Sequence, residues 1–524
     1  MASPPGPTGP TSPRASAQRA DLLGALSLAI DLGLGLPAEH VMRSALTAFR
    51  LASLVGLDEA GRRAAFHTTM VMWIGCHADS HEYALWFGDD IRARHDSYAV
   101  DWAGLPYAGY LARHIGLGEP MPERVRRVGS LLTGPRGHFA ELVGSHCTSA
   151  GLLAQRLDLG GDVEVALQNA YERWDGRGLP CGTAGSDLPL AIRIAQVCDV
   201  AEARREAAGP QAAVEVVRER SGGQFDPDLA AAFAGAPDEV LVADSVDVWA
   251  EARRVAPSGP LTQAQLDAFV RALGEFVDLK SPYTLGHSAG VAGLAAAAAR
   301  HTGMTPDQVS TVRRAGHLHD LGRIGVSNQV WDKVGPLTAV DIERVRMHPY
   351  LTGRILQHVG GLGEEAEIAA NHHERLDGSG YPRGVTGARL TLADQILAAA
   401  DTFHAALEPR PHRPAVDRSA ATALLGREVR SGRLRGDAVA AVLTAAGEHR
   451  TVRDAWPDGL TAREVQVLRL VTRARTTAQI ADELGISVKT VRNHLDHVYA
   501  KTATGNRVGA SLYAMEHGLA DPVL

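Results

Sequence analysis

The stretch His372-His373-Glu374-Arg375-Leu376-Asp377-Gly378-Ser379-Gly380-Tyr381-Pro382 decides how the rest of this chain is read. It is poor material for a helix interior or a strand. Gly378 and Gly380 permit a tight loop, and Pro382 fixes its exit. The residues before it, Glu364 to Asn371, carry a helical pattern that ends at the two histidines. Successive helical residues point about 100° apart, so adjacent histidines converge on one target most easily where a helix is ending. Taken alone, the stretch is either a solvated helix end, with histidines near the negative pole of the dipole, or a ligand site.

Comparing the chain with itself separates these readings. Glu172-Arg173-Trp174-Asp175-Gly176-Arg177-Gly178-Leu179-Pro180 mirrors Glu374 to Pro382 at an offset of 374 − 172 = 202. The offset continues through Gly182 and Gly384, Gly185 and Gly387, Ile194 and Ile396, and Asp199 and Asp401, and it also pairs His146 with His348. Further upstream it becomes 287 − 40 = 247, pairing His40 with His287 and Gly75 with Gly322. The first copy therefore carries an insertion of 247 − 202 = 45 residues between Gly75 and His146. His319-Asp320 of the second copy becomes Met72-Trp73 in the first, His372-His373 becomes Ala170-Tyr171, and Tyr381 becomes Leu179. The glycine and apolar frame survives while most polar candidates are gone. This is the pattern of a degenerate copy kept for packing, partner contact or ligand sensing.

At 524 residues the chain is too long for a single core. Hydrophobic content of 45% and charged content of 22% are ordinary for a globular protein, and abundant alanine with few aromatics leans helical. The net charge of −7 argues against nucleic-acid coating by the whole chain, though not against one basic module. Cys76, Cys147, Cys181 and Cys198 form no CxxC pair, so neither a disulfide framework nor a thiolate zinc site is suggested, and a cytoplasmic setting fits. No stretch reaches the length of a membrane span. The apolar run Leu22 to Leu36 aligns with Phe269 to Tyr283 and reads as an opening helix rather than a signal segment. The expected division is a disordered tail (1–20), a first copy (21–235), a linker (236–260), a second copy (261–449), a short linker (450–459) and a C-terminal module (460–524).

In the second copy the polar candidates are His287, His319, Asp320, His348, His372, His373 and Asp401. Imidazole with carboxylate suits a transition ion better than Ca or Mg. Seven side chains exceed what one ion with open positions needs. Two ions sharing Asp320 account for the number, and such a pair activates water while polarising a phosphoryl oxygen. Singly, each residue has a plainer reading: His287 as a cap or surface histidine, His348 before Pro349 as a turn residue. Asp401 sits on an otherwise apolar helix, where an unpaired carboxylate is costly, so that position favours function.

These residues meet a family in order and spacing. His287, His319-Asp320, Asp320-Leu321-Gly322-Arg323, Met347-His348-Pro349, the 372–382 stretch, Ala399-Ala400-Asp401 and Arg410-Pro411-His412-Arg413-Pro414 resemble the HD-GYP family. The resemblance covers roughly Leu261 to His449. It implies an all-α helical bundle that hydrolyses the cyclic dinucleotide c-di-GMP, or a related phosphodiester, with two divalent transition ions, Fe or Mn. It places His287, His319, Asp320 and Asp401 on one ion and Asp320, His348, His372 and His373 on the other. Asp320 and Arg323 are then catalytic, and Arg323, Gly380, Tyr381 and Pro382 line the substrate pocket. Three positions depart from the family: Arg323 stands for the usual lysine, Tyr283 for the glutamate of three-metal members, and His404 for an aspartate. Arginine can hold a phosphate bidentately but does not readily donate a proton.

The C-terminal module reads as a helix-turn-helix. Thr461/Glu464 and Thr476/Gln479 form capping boxes, Gly485-Ile486-Ser487 makes a turn, and Val488, Val491, Leu495 and Val498 are expected inward. Residues 460–519 carry eight Lys/Arg against five Asp/Glu, a local charge of +3. The wording strongly resembles the LuxR-type DNA-binding domain. That implies double-stranded DNA as partner, a homodimer on a two-fold site, and DNA-facing Lys489, Thr490, Arg492, Asn493, Lys501 and Arg507. The whole therefore reads as tandem HD-type bundles followed by a helix-turn-helix: a cytoplasmic transcriptional regulator carrying a phosphodiesterase, with no membrane partner. The alternative is a non-enzymatic regulator whose bundles bind a nucleotide or partner, motivated by the lost ligands of the first copy and by Arg323.

Overall fold

Helices recur along the chain at the same two offsets that relate the repeated sequences. His40–Leu54 and Glu59–Val71 correspond end to end with His287–His301 and Pro306–Leu318. Beyond the insertion, Leu190–Ala208 matches the start of Leu392–Ala406. The computed structural model describes residues 17–117, 120–122, 124–126, 137–256, 259–448, 456–517 and 519–520. Among these residues there is no strand; only isolated bridges interrupt an all-helical protein.

Glycines show why the frame of both copies survives. A Cβ on Gly178 would lie 2.4 Å from the Glu172 Cα, and one on Gly380 would lie 2.5 Å from the Glu374 Cα. Likewise Gly75 meets the His146 carbonyl at 2.3 Å and Gly322 the His348 carbonyl at 2.0 Å. Each loop is clamped by a buried glutamate. Glu374 accepts from the backbone N–H of Arg383 (2.8 Å) and Val385 (2.9 Å), and Glu172 accepts from Cys181 (2.7 Å) and Gly182 (3.0 Å).

The two copies share one core. Leu22, Leu26 and Ile30 of the Arg19–Leu34 helix are fully buried in a cluster that also holds Phe276, Leu321 and Ile324 of the second copy. The stretch 236–260, expected as a linker, takes part in this packing. Its helix Val248–Val255 is capped by Asp247 and buries Val248, Trp249, Ala252 and Val255, an apolar stripe at helical spacing. Trp249 stacks on His358 at 4.7 Å and donates to Glu39, while Arg253 pairs with Asp21 at 2.6 Å. The Pro and Gly content that suggested a linker comes after this helix in the sequence. Of the expected tail, residues 1–16 lie outside the described residues, whereas Gln18 bridges to Pro260 and Arg19 opens the first helix. Of the second expected linker, 450–455 also lie outside them, and Pro457–Gly459 is a short 3₁₀ turn. No described helix is long and apolar enough to cross a membrane.

The C-terminal module consists of Ala462–Thr472, Thr477–Leu484, Val488–Thr502 and Arg507–Glu516. Both expected capping boxes form, and Ser487 caps the third helix. Val491, Leu495 and Val498 are buried, but Val488, the first residue of that helix, is exposed. The last helix docks on the double bundle: Leu512 joins a cluster touching Leu152, Leu279 and Leu285, and Arg156 bridges Glu516 (2.9 Å) and Glu275.

Gly178→Ala must displace backbone, so it should cost about 1–3 kcal/mol. Gly161→Ala, which meets nothing within 4 Å, should stay within about 0.5 kcal/mol of wild type. Denaturant unfolding of the two variants compares them directly.

Candidate metal centre and DNA-facing helix

Four of the histidines sit at helix ends, where side chains of different elements can converge. His287 opens His287–His301, His319 follows Pro306–Leu318, His348 opens His348–Leu356, and His372 lies just past Gly363–Ala370. Asp401 comes from mid-helix, within Leu392–Ala406.

Three rings are oriented by one device. The Nδ1–H of His319, His348 and His372 donates to the carbonyl three residues earlier: Gly316 (2.8 Å), Val345 (2.6 Å) and Ala369 (2.7 Å). Each Nε2 is thereby left as a lone pair aimed inward. His287 uses a carboxylate instead, with its Nδ1 3.0 Å from Glu408. Arg410 donates to the same Glu408 oxygen, Oε2, at 2.7 Å.

Asp320 stands between two groups. Its Oδ1 faces His348 (3.3 Å) and His372 (3.8 Å), and its Oδ2 faces His287 (3.6 Å), His319 (3.6 Å) and Arg323 (3.3 Å). Asp401 Oδ1 reaches His287 at 3.3 Å and His319 at 3.8 Å, and its Oδ2 lies 3.9 Å from His373. The donor atoms of His287, His319 and Asp401 lie within 4.8 Å of one another, as do those of His348, His372 and His373. The site is thus two donor triads with one carboxylate between them.

Burial takes His348 down to about 4 and His372 to about 3 and holds His373 well below its ordinary value, whereas Glu408, Asp401 and Asp320 outweigh burial at His287 and raise it to about 10. Burial would also raise the Asp320 carboxyl, but Arg323 and the surrounding imidazoles outweigh it and hold Asp320 well below the usual carboxylate range. Imidazoles and ionised carboxylates, with no thiolate among them, are donor chemistry that suits a transition ion, and a metal at His287 would displace the proton that ring holds.

Arg323 lies flat on the Trp331 ring, 3.7 Å from its centroid, and Trp331 donates to the Arg323 carbonyl at 3.2 Å. Tyr381 packs over His373 at 4.7 Å and beside His348 at 6.4 Å, with the Arg346 guanidinium 5.7 Å from its ring centroid. Gly380 serves the close approach to Glu374 described above, and Pro382 follows Tyr381 through a cis bond.

Sequence reading missed Glu408, Glu374 and Trp331. The repeat could have supplied the first: 408 − 206 = 202, and Glu206 holds His40 Nδ1 at 3.0 Å as Glu408 holds His287. In the first copy Trp73 stands where Asp320 stands in the second, and its indole N–H donates to Asp199 at 2.9 Å. Asp199 also faces His40 at 3.2 Å. There the protein's own groups answer the carboxylates.

On Val488–Thr502, Lys489, Arg492 and Asn493 are exposed together, with Thr490 half-buried beside Ser487. Lys501 and Arg507 are committed elsewhere. Lys501 binds Glu464 (2.7 Å) and the Gly459 carbonyl (3.0 Å), and Arg507 donates to the Arg475 carbonyl at 2.6 Å.

Comparison with known proteins agrees with this geometry. Residues 271–436 match the HD domain family, and residues 458–514 match the bacterial regulatory proteins of the luxR family. The chain is 29% identical over 412 residues, 77% of its length and 90% of the relative's, to 3'3'-cGAMP-specific phosphodiesterase 3 of Vibrio cholerae. The chain is an HD-GYP phosphodiesterase homologue with a LuxR-type domain. A cyclic di-GMP phosphodiesterase of Thermotoga maritima is 36% identical over 143 residues, where this HD-GYP homologue spans 38% of that protein. A crystal structure of a cyclic GMP-AMP specific phosphodiesterase from V. cholerae shares the fold, with a TM-score of 0.56 and 24% identity over 85% of this chain and all of that one. So large a share extends beyond the second copy.

Burial opposes a proton on His40, but the hydrogen bonds and charges of Asp199 and Glu206 outweigh it and raise His40 well above its ordinary value. Its contribution to stability is therefore full below the unfolded-state value of about 6.5 and is lost as pH rises through the folded-state value. His40→Gln should destabilise most near neutral and acidic pH and progressively less in alkali, read by denaturant unfolding of both proteins across pH.

Proposed function

We propose that this protein is a DNA-binding transcriptional regulator whose second HD bundle hydrolyses a cyclic dinucleotide, c-di-GMP or its mixed relative, in the cytoplasm. The observation that carries the reading is the convergence of seven donors into two triads about Asp320, beside an oriented arginine and a tyrosine wall. The family relatives are named for such substrates. His287, His319, Asp401 and Asp320 would hold one ion, and His348, His372, His373 and Asp320 the other, with Fe or Mn suited to this donor set. Bound there, the ions supply an activated water and polarise the scissile phosphoryl group.

The chain's own residues do the rest. Asp320 keeps a charge on both sides of the cluster, so its two oxygens fix the separation of the triads. Trp331 holds the Arg323 guanidinium in one plane, and the N–H pair not facing Asp320 is free to bind a phosphate oxygen bidentately. Arginine in place of lysine binds and orients there rather than donating a proton. Tyr381 offers a ring for a base to stack on, and the Glu374 clamp holds its loop rigid. Glu408 fixes the orientation of His287.

On the DNA side, Lys489, Thr490, Arg492 and Asn493 form the face that would enter the major groove, in a homodimer on a two-fold site. The docking of the last helix against Leu279 and Leu285, just ahead of His287, ties that module to the metal centre.

The deciding experiment is turnover of c-di-GMP, 3'3'-cGAMP and simpler phosphodiesters by the metal-loaded full chain. Wild type should turn over at least one cyclic dinucleotide repeatedly, and Asp320→Ala should lose metal and at least about 100-fold in rate. A wild-type protein without transition metal, or equal turnover by Asp320→Ala, sinks the proposal. Glu408→Gln should weaken metal binding about 10–100-fold, measured by competition with a chelator. Lys489→Ala should weaken DNA binding alike for all sequences and flatten its salt dependence, whereas Asn493→Ala should also relax sequence preference.

A further inference from the structure

The segment that carries Arg323 has little structure of its own. Arg323 lies in the 3₁₀ turn Leu321–Gly325, and Trp331, the ring its guanidinium lies on, ends the four-residue helix Asn328–Trp331. One helical turn fixes several dihedrals for one or two hydrogen bonds and is not stable alone. Its place must be set by neighbours, and several of these belong to the first copy.

The helix Arg19–Leu34 lies under the 3₁₀ turn. A Cβ on Gly33 would come within 2.9 Å of the Ile324 side chain, and one on Gly325 within 3.5 Å of Leu32. Asp90 stands at the start of the four-residue helix. Its Oδ1 accepts from Ser327 Oγ (2.6 Å) and from the Asn328 backbone N–H (2.8 Å), one of the donors that a helix start leaves open. A carboxylate of one copy thus caps a helix of the other. At the far end His81 Nδ1 lies 2.8 Å from Asp332 Oδ2, which also accepts from Asn328 (2.8 Å), while Asp332 Oδ1 accepts from Ser281 (2.6 Å). His81 and Asp90 both come from the stretch between Gly75 and His146 that the insertion lengthens.

The contact is built from buried charge. Asp90 Oδ2 faces Lys280 at 3.4 Å and Arg94 at 3.3 Å, and all three residues are buried. Desolvating such ions costs about what their attraction returns, so apolar side chains would join the copies at least as firmly. What hydrogen-bonded ions add is direction, here at both ends of the helix that ends in Trp331. That ring passes the constraint on: its centroid lies 3.7 Å from the Arg323 guanidinium, and its N–H donates to the Arg323 carbonyl at 3.2 Å. We propose that Asp90 and His81 of the first copy are positioning residues for the second copy's site, setting Arg323, through Trp331, where a phosphate oxygen arrives. The site of the second copy is then incomplete without the first. The inference rests on the reading of the second copy as a phosphodiesterase.

Turnover is measured for the metal-loaded full chain with whichever of c-di-GMP and 3'3'-cGAMP the wild type cleaves faster, and backbone hydrogen exchange is followed in peptides covering 321–333. Asp90→Asn should lower turnover about tenfold or more, and His81→Ala about threefold or more. Metal content should stay unchanged and exchange in 321–333 should quicken. In an Arg323→Ala background, Asp90→Asn should cost less than about twofold further, because the group it positions is already gone. Asp226 is a similarly buried carboxylate whose partners Arg193, Asp228 and Leu229 all lie in the first copy. Asp226→Asn should leave turnover within about twofold of wild type. An active wild type whose turnover ignores Asp90→Asn and His81→Ala, equal losses with and without Arg323, a like loss in Asp226→Asn, or unchanged exchange in 321–333 overturns the inference alone. An inactive wild type overturns the functional reading beneath it. If Arg323→Ala is too slow to measure, the Asp226→Asn comparison and the exchange decide. If circular dichroism shows Asp90→Asn unfolded, His81→Ala, which leaves Asp332 bonded to Ser281 and Asn328, carries the same comparisons.

Discussion

A carboxylate buried among helices must be answered by charge or by hydrogen bonds, and this constraint organises both halves of the protein. In the second copy Asp320, Asp401 and Glu408 are all buried within a few ångströms of one another's partners, and imidazoles surround them. Their arrangement depends on rings that cannot turn. Three are fixed by carbonyls at the ends of the helices that precede them, and the fourth by Glu408. The bundle's helix lengths set where those ends fall. The chemistry is therefore a property of helix termini, with Asp401 closing the site from mid-helix.

The first copy solves the same problem differently. Asp199 and Glu206 keep the positions of Asp401 and Glu408, but a protonated His40 and the Trp73 indole answer them. The glycines that let loop and helix backbones touch, and the glutamate that clamps the loop, are the same in both. A fold whose stability comes from its frame can lose its ligands and remain folded.

Much of the candidate site was legible beforehand because a metal-ligating set would restrict both residue type and spacing. His287, His319, Asp320, His348, His372, His373 and Asp401 stand out as polar residues in apolar or turn settings, and the structure brings all seven together. Glu408 did not stand out, since a glutamate near a helix end is ordinary on a surface, although its offset to Glu206 held the clue. Trp249 was hidden by the opposite error: Pro and Gly after its helix suggested a linker, while the apolar stripe inside the stretch was short. Lys501 and Arg507 read as DNA-facing cations, yet a lysine beside Glu464 and an arginine beside open carbonyls find nearer partners within the module.

By itself the sequence determined the helical class, the duplication, the donor set and the helix-turn-helix, because each is written in residue type and local period. Only the tertiary structure decided that the two copies share one core and that the last helix docks beside the segment leading to His287. These depend on distances between elements far apart in the chain. Such distances are set by how whole helices pack, and no local pattern of residues encodes them.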